Sequence, residues 1–316
     1  MIIDDLDDAV LDEVLFDSLN LAFPLWTRKW LALLETDADV GIRIKKDLKL
    51  GREVLGFSFS SNRFGLRGPC DPTSSTAVFG TSYAMGFSVD DGDNWYDGLF
   101  RDGAMNYGMP VGLREFEILF DRHHAGTCGT AIFFYHPNIW SHVSSYARWR
   151  LGGKTTFEHF RWDTSLQGAL EKSLQMVKTL RGTGAGRSLV AEILGRHWLL
   201  NPAYAKFDLD GGRAEYEAGV DALLRVLTRF DRVLVFRIPT KEELAVPHLD
   251  HAPFAALRED HLRGWAYFKA AVVARLKTCV VHEGEGFTLA DHHPCDTHWN
   301  RAGNAKMRDL LIEQGF

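Results

Sequence analysis

Apolar positions recur along this chain with two distinct periods. Over residues 5–36, Leu6, Val10, Leu11, Val14, Leu15 and Leu19, then Trp26, Trp30 and Leu33, fall three and four apart, which predicts two amphipathic helices interrupted around Pro24. Residues 54–67 alternate apolar and polar in the manner of a strand and stop at the turn-forming Gly68-Pro69. Short β-prone runs follow at 76–80, 130–135, 232–238 and 277–281, and runs of this kind suit strands covered on both faces. Helix-like stretches at 166–180 and 215–229 lie between them. Strands that alternate with helices predict a mainly parallel sheet, so the expected fold is a three-layer α/β/α sandwich.

Residues 1–75 read as an N-terminal extension that packs on the core, and 76–316 as the α/β/α domain. The stretch 140–214 exceeds what one crossover helix needs and predicts a helical insertion beside the site. The N-terminal helices are expected to pack on their own domain; the alternative is a docking surface for a second copy of the chain or another protein. Gly182-Thr-Gly-Ala-Gly186 has no strand leading into it and no Lys-Ser or Lys-Thr after it, so it reads as a connector rather than a phosphate loop.

Composition narrows the classes. Of 316 residues, 46% are hydrophobic and 25% charged, which fits a folded, water-soluble protein. With 36 Lys and Arg against 42 Asp and Glu, the net charge of −6 supplies no drive toward nucleic acid. No apolar run reaches the roughly 18 to 20 residues of a membrane span, and the N-terminus is acidic where a secretory signal is basic. Cys70, Cys128, Cys279 and Cys295 form no C-x-x-C pair and suit reduced thiols, so a cytoplasmic location is expected.

Candidate chemistry begins at Ser82. It follows the run 76–80 at the start of a helix, where loops and helix N-termini meet at the C-terminal end of a parallel sheet. A serine there attacks a carbonyl if a histidine takes its proton. As a plain helix cap it would need no function.

Four separated segments carry a resemblance. Phe79-Gly-Thr-Ser82-Tyr-Ala-Met-Gly86 looks like the nucleophile block of the SGNH (GDSL-type) hydrolases, with Thr81 where that family usually has Asp. Asn106-Tyr-Gly108-Met-Pro-Val-Gly112 is similar to the second block, Phe133-Phe-Tyr-His-Pro-Asn138 to the third, and Asp296-Thr-His298-Trp-Asn-Arg-Ala-Gly303-Asn to the last. The order along the chain also agrees.

The resemblance covers residues 76–316 and implies an SGNH, flavodoxin-like fold and a serine esterase or acylhydrolase. It implies Ser82 as nucleophile, His298 as general base, and Asp296 as the group that orients the imidazole. The implied oxyanion hole is the backbone N–H of Ser82, that of Gly108 and the Asn138 amide. Tyr83 and Trp299, beside the serine and the histidine, are candidates to contact substrate, while Trp299 equally suits packing under the last helix.

Neither a metal nor another cofactor is expected. Asp291-His-His293-Pro-Cys-Asp296-Thr-His298 is rich in zinc-ligand types and zinc is the alternative reading, yet a metal site needs three or four converging ligands, which this spacing does not demonstrate. His123-His124 reads as a helix end without a role. The expected substrate is a small-molecule or carbohydrate ester, cleaved through an acyl-serine. Transfer of the acyl group to a sugar or other alcohol is the alternative, since Gly80-Thr-Ser82-Tyr83 and Asp296-Thr-His298-Trp299 also resemble motifs of alginate O-acetyltransferase-like proteins. In that group, however, the Asp-x-His segment precedes the serine. A third reading is a catalytically silent carbohydrate-binding or assembly protein on the same fold.

Overall fold

The computed structural model describes residues 32–100, 103–150, 189–201, 204–205, 207–294 and 296–316. The first predicted helices fall almost wholly outside these, as do the predicted helix 166–180 and the glycine run 182–186.

Five strands make the central sheet: β5 (Thr76–Gly80), β6 (Met105–Asn106), β7 (Thr130–Tyr135), β10 (Arg232–Arg237) and β11 (Cys279–His282). Every neighbouring pair is parallel. The lateral order is β6-β5-β7-β10-β11, the 2-1-3-4-5 order of a doubly wound sheet. In such a sheet the connections leave in opposite directions from the first and third strands, here β5 and β7. The crevice that opens outside their C-terminal ends is where ligands bind.

Period-two packing explains why these runs are strands. Ala77, Phe79, Ala131, Phe133, Tyr135, Val233 and Val235 face one core, and Val78, Ile132, Phe134, Leu234 and Phe236 face another. The first core is completed by α3 (Leu113–His123), α5 (Leu209–Leu227) and α7 (Ala252–Arg275), through Phe116, Leu223 and Phe268 among others. The second is completed by α2 (Ser82–Met85) and α8 (Arg301–Glu313), through Tyr83, Met307 and Leu311. Apolar residues on both faces force helices onto both sides.

Two expectations change. Residues 54–67 are not one strand: α1 (Arg52–Leu55) is a single helical turn, and only Phe59–Ser60 (β4) pairs, with Lys49–Leu50 (β3). The alternating aromatics serve a different purpose, since Phe57 and Phe59 lie 5.7 and 4.5 Å from the guanidinium of Arg67, which is itself buried.

Within the stretch 140–214 expected as a helical insertion, α4 (Ile139–Arg150) and the start of α5 are helical, and between them the described residues include a β-hairpin, β8 (Leu189–Ile193) with β9 (Arg196–Leu200). Ala191, Ile193, Trp198 and Leu200 bury against Ala245 of α6 (Lys241–Ala245), Phe254 and Leu289, so a one-sided apolar face selects the hairpin. A small antiparallel pair, β1 (Leu34–Asp37) with β2 (Gly41–Ile44), and the rest of residues 32–66 contribute Leu34, Ile42, Phe59 and Leu66 to the first core.

Candidate active site

β5 and β7 are paired so that Gly80 lies level with Phe134, and the chain emerging from each strand enters the same crevice. Gly80 has φ +147°, and a Cβ there would meet the Phe134 carbonyl oxygen and the Ala84 Cβ at 2.9 Å. Only glycine allows this close approach. It lets the next residues turn straight into α2, with Ser82 as its first residue. At that position the backbone N–H has no acceptor within the helix.

The partners of Ser82 arrive from the far end of the chain. Around Asp296 the flanking chain is drawn together by His293 N–H donating to the His298 carbonyl (3.0 Å) and Asn300 N–H to the Asp291 carbonyl (2.9 Å). The Asn300 amide donates to the carbonyls of Ala290 and His292, while its oxygen accepts from the N–H groups of Ala302 and Gly303 and so caps α8. One asparagine thus fixes the loop against the last helix.

Within the loop, Asp296 Oδ1 lies 2.6 Å from His298 Nδ1 and also accepts the His298 backbone N–H at 3.2 Å. A carboxylate only accepts, so the imidazole proton sits on Nδ1 and Nε2 is free to accept. His298 Nε2 is 2.7 Å from Ser82 Oγ. The three side chains singled out in the sequence therefore form one continuous hydrogen-bonded series. The serine is buried, and the histidine and aspartate side chains are 15% and 31% exposed, an opening through which a substrate can reach them.

Asn138 follows β7 on the other side of the crevice. Its Oδ1 is 3.4 Å from the hydroxyl of buried Thr81, which donates to it, and its backbone N–H donates to His136 Nδ1 at 3.3 Å. With the amide oxygen held by Thr81, the Nδ2 donors are left for another acceptor. Thr81 stands where the resembling family has Asp, and here it orients the asparagine.

Gly108 occupies a different place from the one expected. Its N–H donates to Asn106 Oδ1 at 2.8 Å, and Asn106 Nδ2 donates to the Ala84 carbonyl at 2.9 Å. A Cβ on Gly108 would stand 2.4 Å from the Met85 nitrogen. Gly108 lets the chain after β6 press against the backbone of α2, and its N–H is already engaged. Of the three groups expected as oxyanion donors, the Ser82 N–H and the Asn138 amide N–H groups are left for another acceptor.

Tyr83 and Trp299 both lie buried beside the serine and the histidine rather than exposed in the crevice. They are 2% and 1% exposed and belong to the second core. Trp299 stacks on Phe287 with ring centroids 4.9 Å apart. Tyr83 stacks on His136 at 4.4 Å, lies 5.3 Å from His298, and donates its hydroxyl to the Thr297 carbonyl. Burial raises the pKa of that hydroxyl well above the ordinary phenol value, which keeps it a donor. Tyr83 is a buried post between the Ser82 turn and the Asp-x-His loop.

Sequence reasoning missed Ser88, whose Oγ donates to Asp296 Oδ2 at 2.9 Å, and Arg67, which donates to the carbonyls of Gly86 and Val89 on either side of it. It also missed Asn300, although an asparagine directly before a helical run is a readable cap signal.

Behind Tyr83 lie further buried polar groups. His292 donates from Nδ1 to the Thr297 carbonyl (3.1 Å), and burial pushes its pKa down to about 4. Burial likewise holds His136 neutral, well below the ordinary imidazole value, and raises the Glu242 carboxyl above its usual range. Among the described residues no group of three or more His, Cys, Asp and Glu is arranged to hold a metal ion, and none of the helices is long and apolar enough to cross a membrane. His123 ends α3 and His124 stacks on Phe120 at 4.4 Å, away from this site.

No family model, no curated protein and no solved structure matches this chain. What fold and site define on their own is a doubly wound parallel α/β protein with a serine, a histidine and an aspartate in hydrogen-bonded series at the topological switch point.

Proposed function

We propose that this protein is a serine-dependent hydrolase of SGNH type that cleaves an ester of a small acyl group, with an O-acyl carbohydrate or similar alcohol ester as substrate. The observation that carries the reading is the series Ser82 Oγ, His298 Nε2, His298 Nδ1, Asp296 Oδ1, with links of 2.7 and 2.6 Å. The order of the parts supports it further, with the serine after β5, the asparagine after β7 and Asp-x-His before the last helix.

His298 removes the Ser82 proton as Oγ attacks the ester carbonyl, and Asp296 stabilises the imidazolium that forms. The Ser82 N–H and the Asn138 amide receive the developing oxyanion. The tetrahedral intermediate collapses as His298 returns its proton to the departing alcohol. Water, activated by the same imidazole, then hydrolyses the acyl-serine.

The test is turnover of p-nitrophenyl acetate by the parent and by Ser82→Ala, repeated with sugar acceptors. Loss of turnover in the variant supports the reading. Faster release with acylated sugar as product would make the enzyme a transferase through the same serine, and no turnover together with sugar binding would make it a silent binding protein.

A further inference from the structure

We propose that Ser88 is a positioning residue for this site, one that holds the Asp296 carboxylate in register with His298. This rests on the serine-hydrolase reading above. Asp296 presents two oxygens. Oδ1 serves His298 Nδ1, and Oδ2 accepts the Ser88 hydroxyl at 2.9 Å. The Asp296 side chain is about one-third exposed, and a carboxylate in that setting swings about its side-chain torsions unless both oxygens are held. Ser88 supplies the second hold.

Its backbone indicates that this contact is built rather than incidental. Ser88 has φ +74°, a left-handed conformation that a non-glycine residue adopts at a cost and that persists only where the surroundings enforce it. Three bonds enforce it here. Buried Arg67 donates to the Gly86 carbonyl and, at 2.9 Å, to the Val89 carbonyl, so it grips the chain on both sides of Ser88. His293, from the same loop as Asp296, donates from Nε2 to the Ser88 carbonyl at 3.1 Å. Phe87 meets the His298 ring edge-on at 5.0 Å. A glycine would satisfy all of this backbone geometry without strain, so the hydroxyl is what serine adds.

The experiment exploits that difference. Ser88→Gly removes the hydroxyl and the strain together, whereas Ser88→Ala removes the hydroxyl alone. For Ser88→Gly the expected result is a thermal midpoint no lower than the parent's, with kcat on p-nitrophenyl acetate about tenfold lower and KM within about twofold. Ser88→Ala should lose as much kcat. In an Asp296→Asn background, Ser88→Gly should change the rate of Ser82 phosphonylation by less than about twofold, because its effect runs through the aspartate.

A structural role would move the midpoint and act equally in both backgrounds. Parent-like kcat in Ser88→Gly, or an equal fold-loss in the Asp296→Asn background, overturns the proposal while leaving the serine reading intact. A parent enzyme with neither turnover nor a Ser82 adduct overturns both.

Discussion

The hydroxyl of Tyr83 donates to the main-chain carbonyl of Thr297, and so joins the residue after the nucleophile to the residue between Asp296 and His298. Two segments more than 200 residues apart in sequence are thereby fixed to each other by a bond outside the reacting series. Tyr83→Phe keeps the ring stacked on His136 and removes only this bond. It should lower kcat by about three- to tenfold and stability by about 1 kcal/mol, measured by ester turnover and urea unfolding. A change confined to KM would instead return Tyr83 to the substrate pocket.

Gly108 gives the opposite signature to an oxyanion donor. Alanine at a glycine whose only contribution is its N–H retains that N–H, so activity would survive. Here the added Cβ meets the backbone of α2 at 2.4 Å. Gly108→Ala should destabilise the protein by about 2 kcal/mol or more and lose activity with the fold, read as a lowered urea midpoint.

Asn138 and Thr81 should separate by magnitude. On the proposed function Asn138→Ala removes one oxyanion donor, a loss that typically costs about 2.7 to 4 kcal/mol of transition-state stabilisation, so kcat should fall about a hundredfold or more. Thr81→Val keeps shape and frees the amide to rotate. Its expected loss in kcat is about three- to tenfold, with KM unchanged, in steady-state ester kinetics.

Buried His292 couples folding to pH. His292 is fully buried, and its pKa falls from 6.5 to about 4 on folding. Between those values the unfolded chain holds more protons than the folded one, so stability is present above about pH 6.5 and is lost as the pH falls toward 4. From pH 7.5 to pH 5 this one group removes about 2 kcal/mol. Unfolding free energies from urea titrations at the two pH values should differ less in His292→Gln than in the parent by about that amount. Equal differences would contradict the assignment.

The sheet was legible because its strands obey a simple rule. β5, β7 and β10 are apolar on both faces, and such runs have few other homes. Ser82 was legible as a serine between a strand end and a helix start, whereas Asn138, Asp296 and His298 were singled out through the family resemblance. The expectation for Gly108 went astray through a short-range bond, since Asn106, two residues away, takes its N–H. Burial of Tyr83 was not legible from its place beside Ser82, because neighbours on a helical turn point about 100° apart. Ser88 and Arg67 were invisible for a different reason. Their roles depend on contacts across 208 residues of sequence and between 19 and 24, and on a backbone angle that no residue pattern announces.

The most direct test of the central claim is the site of covalent labelling by a serine-directed fluorophosphonate, mapped by peptide mass spectrometry on the full chain. One adduct on Ser82 is predicted, with its formation slowed about a hundredfold or more in His298→Ala, because the imidazole 2.7 Å away generates the nucleophile. An adduct on another serine, or labelling of Ser82 at the same rate without His298, would contradict the account.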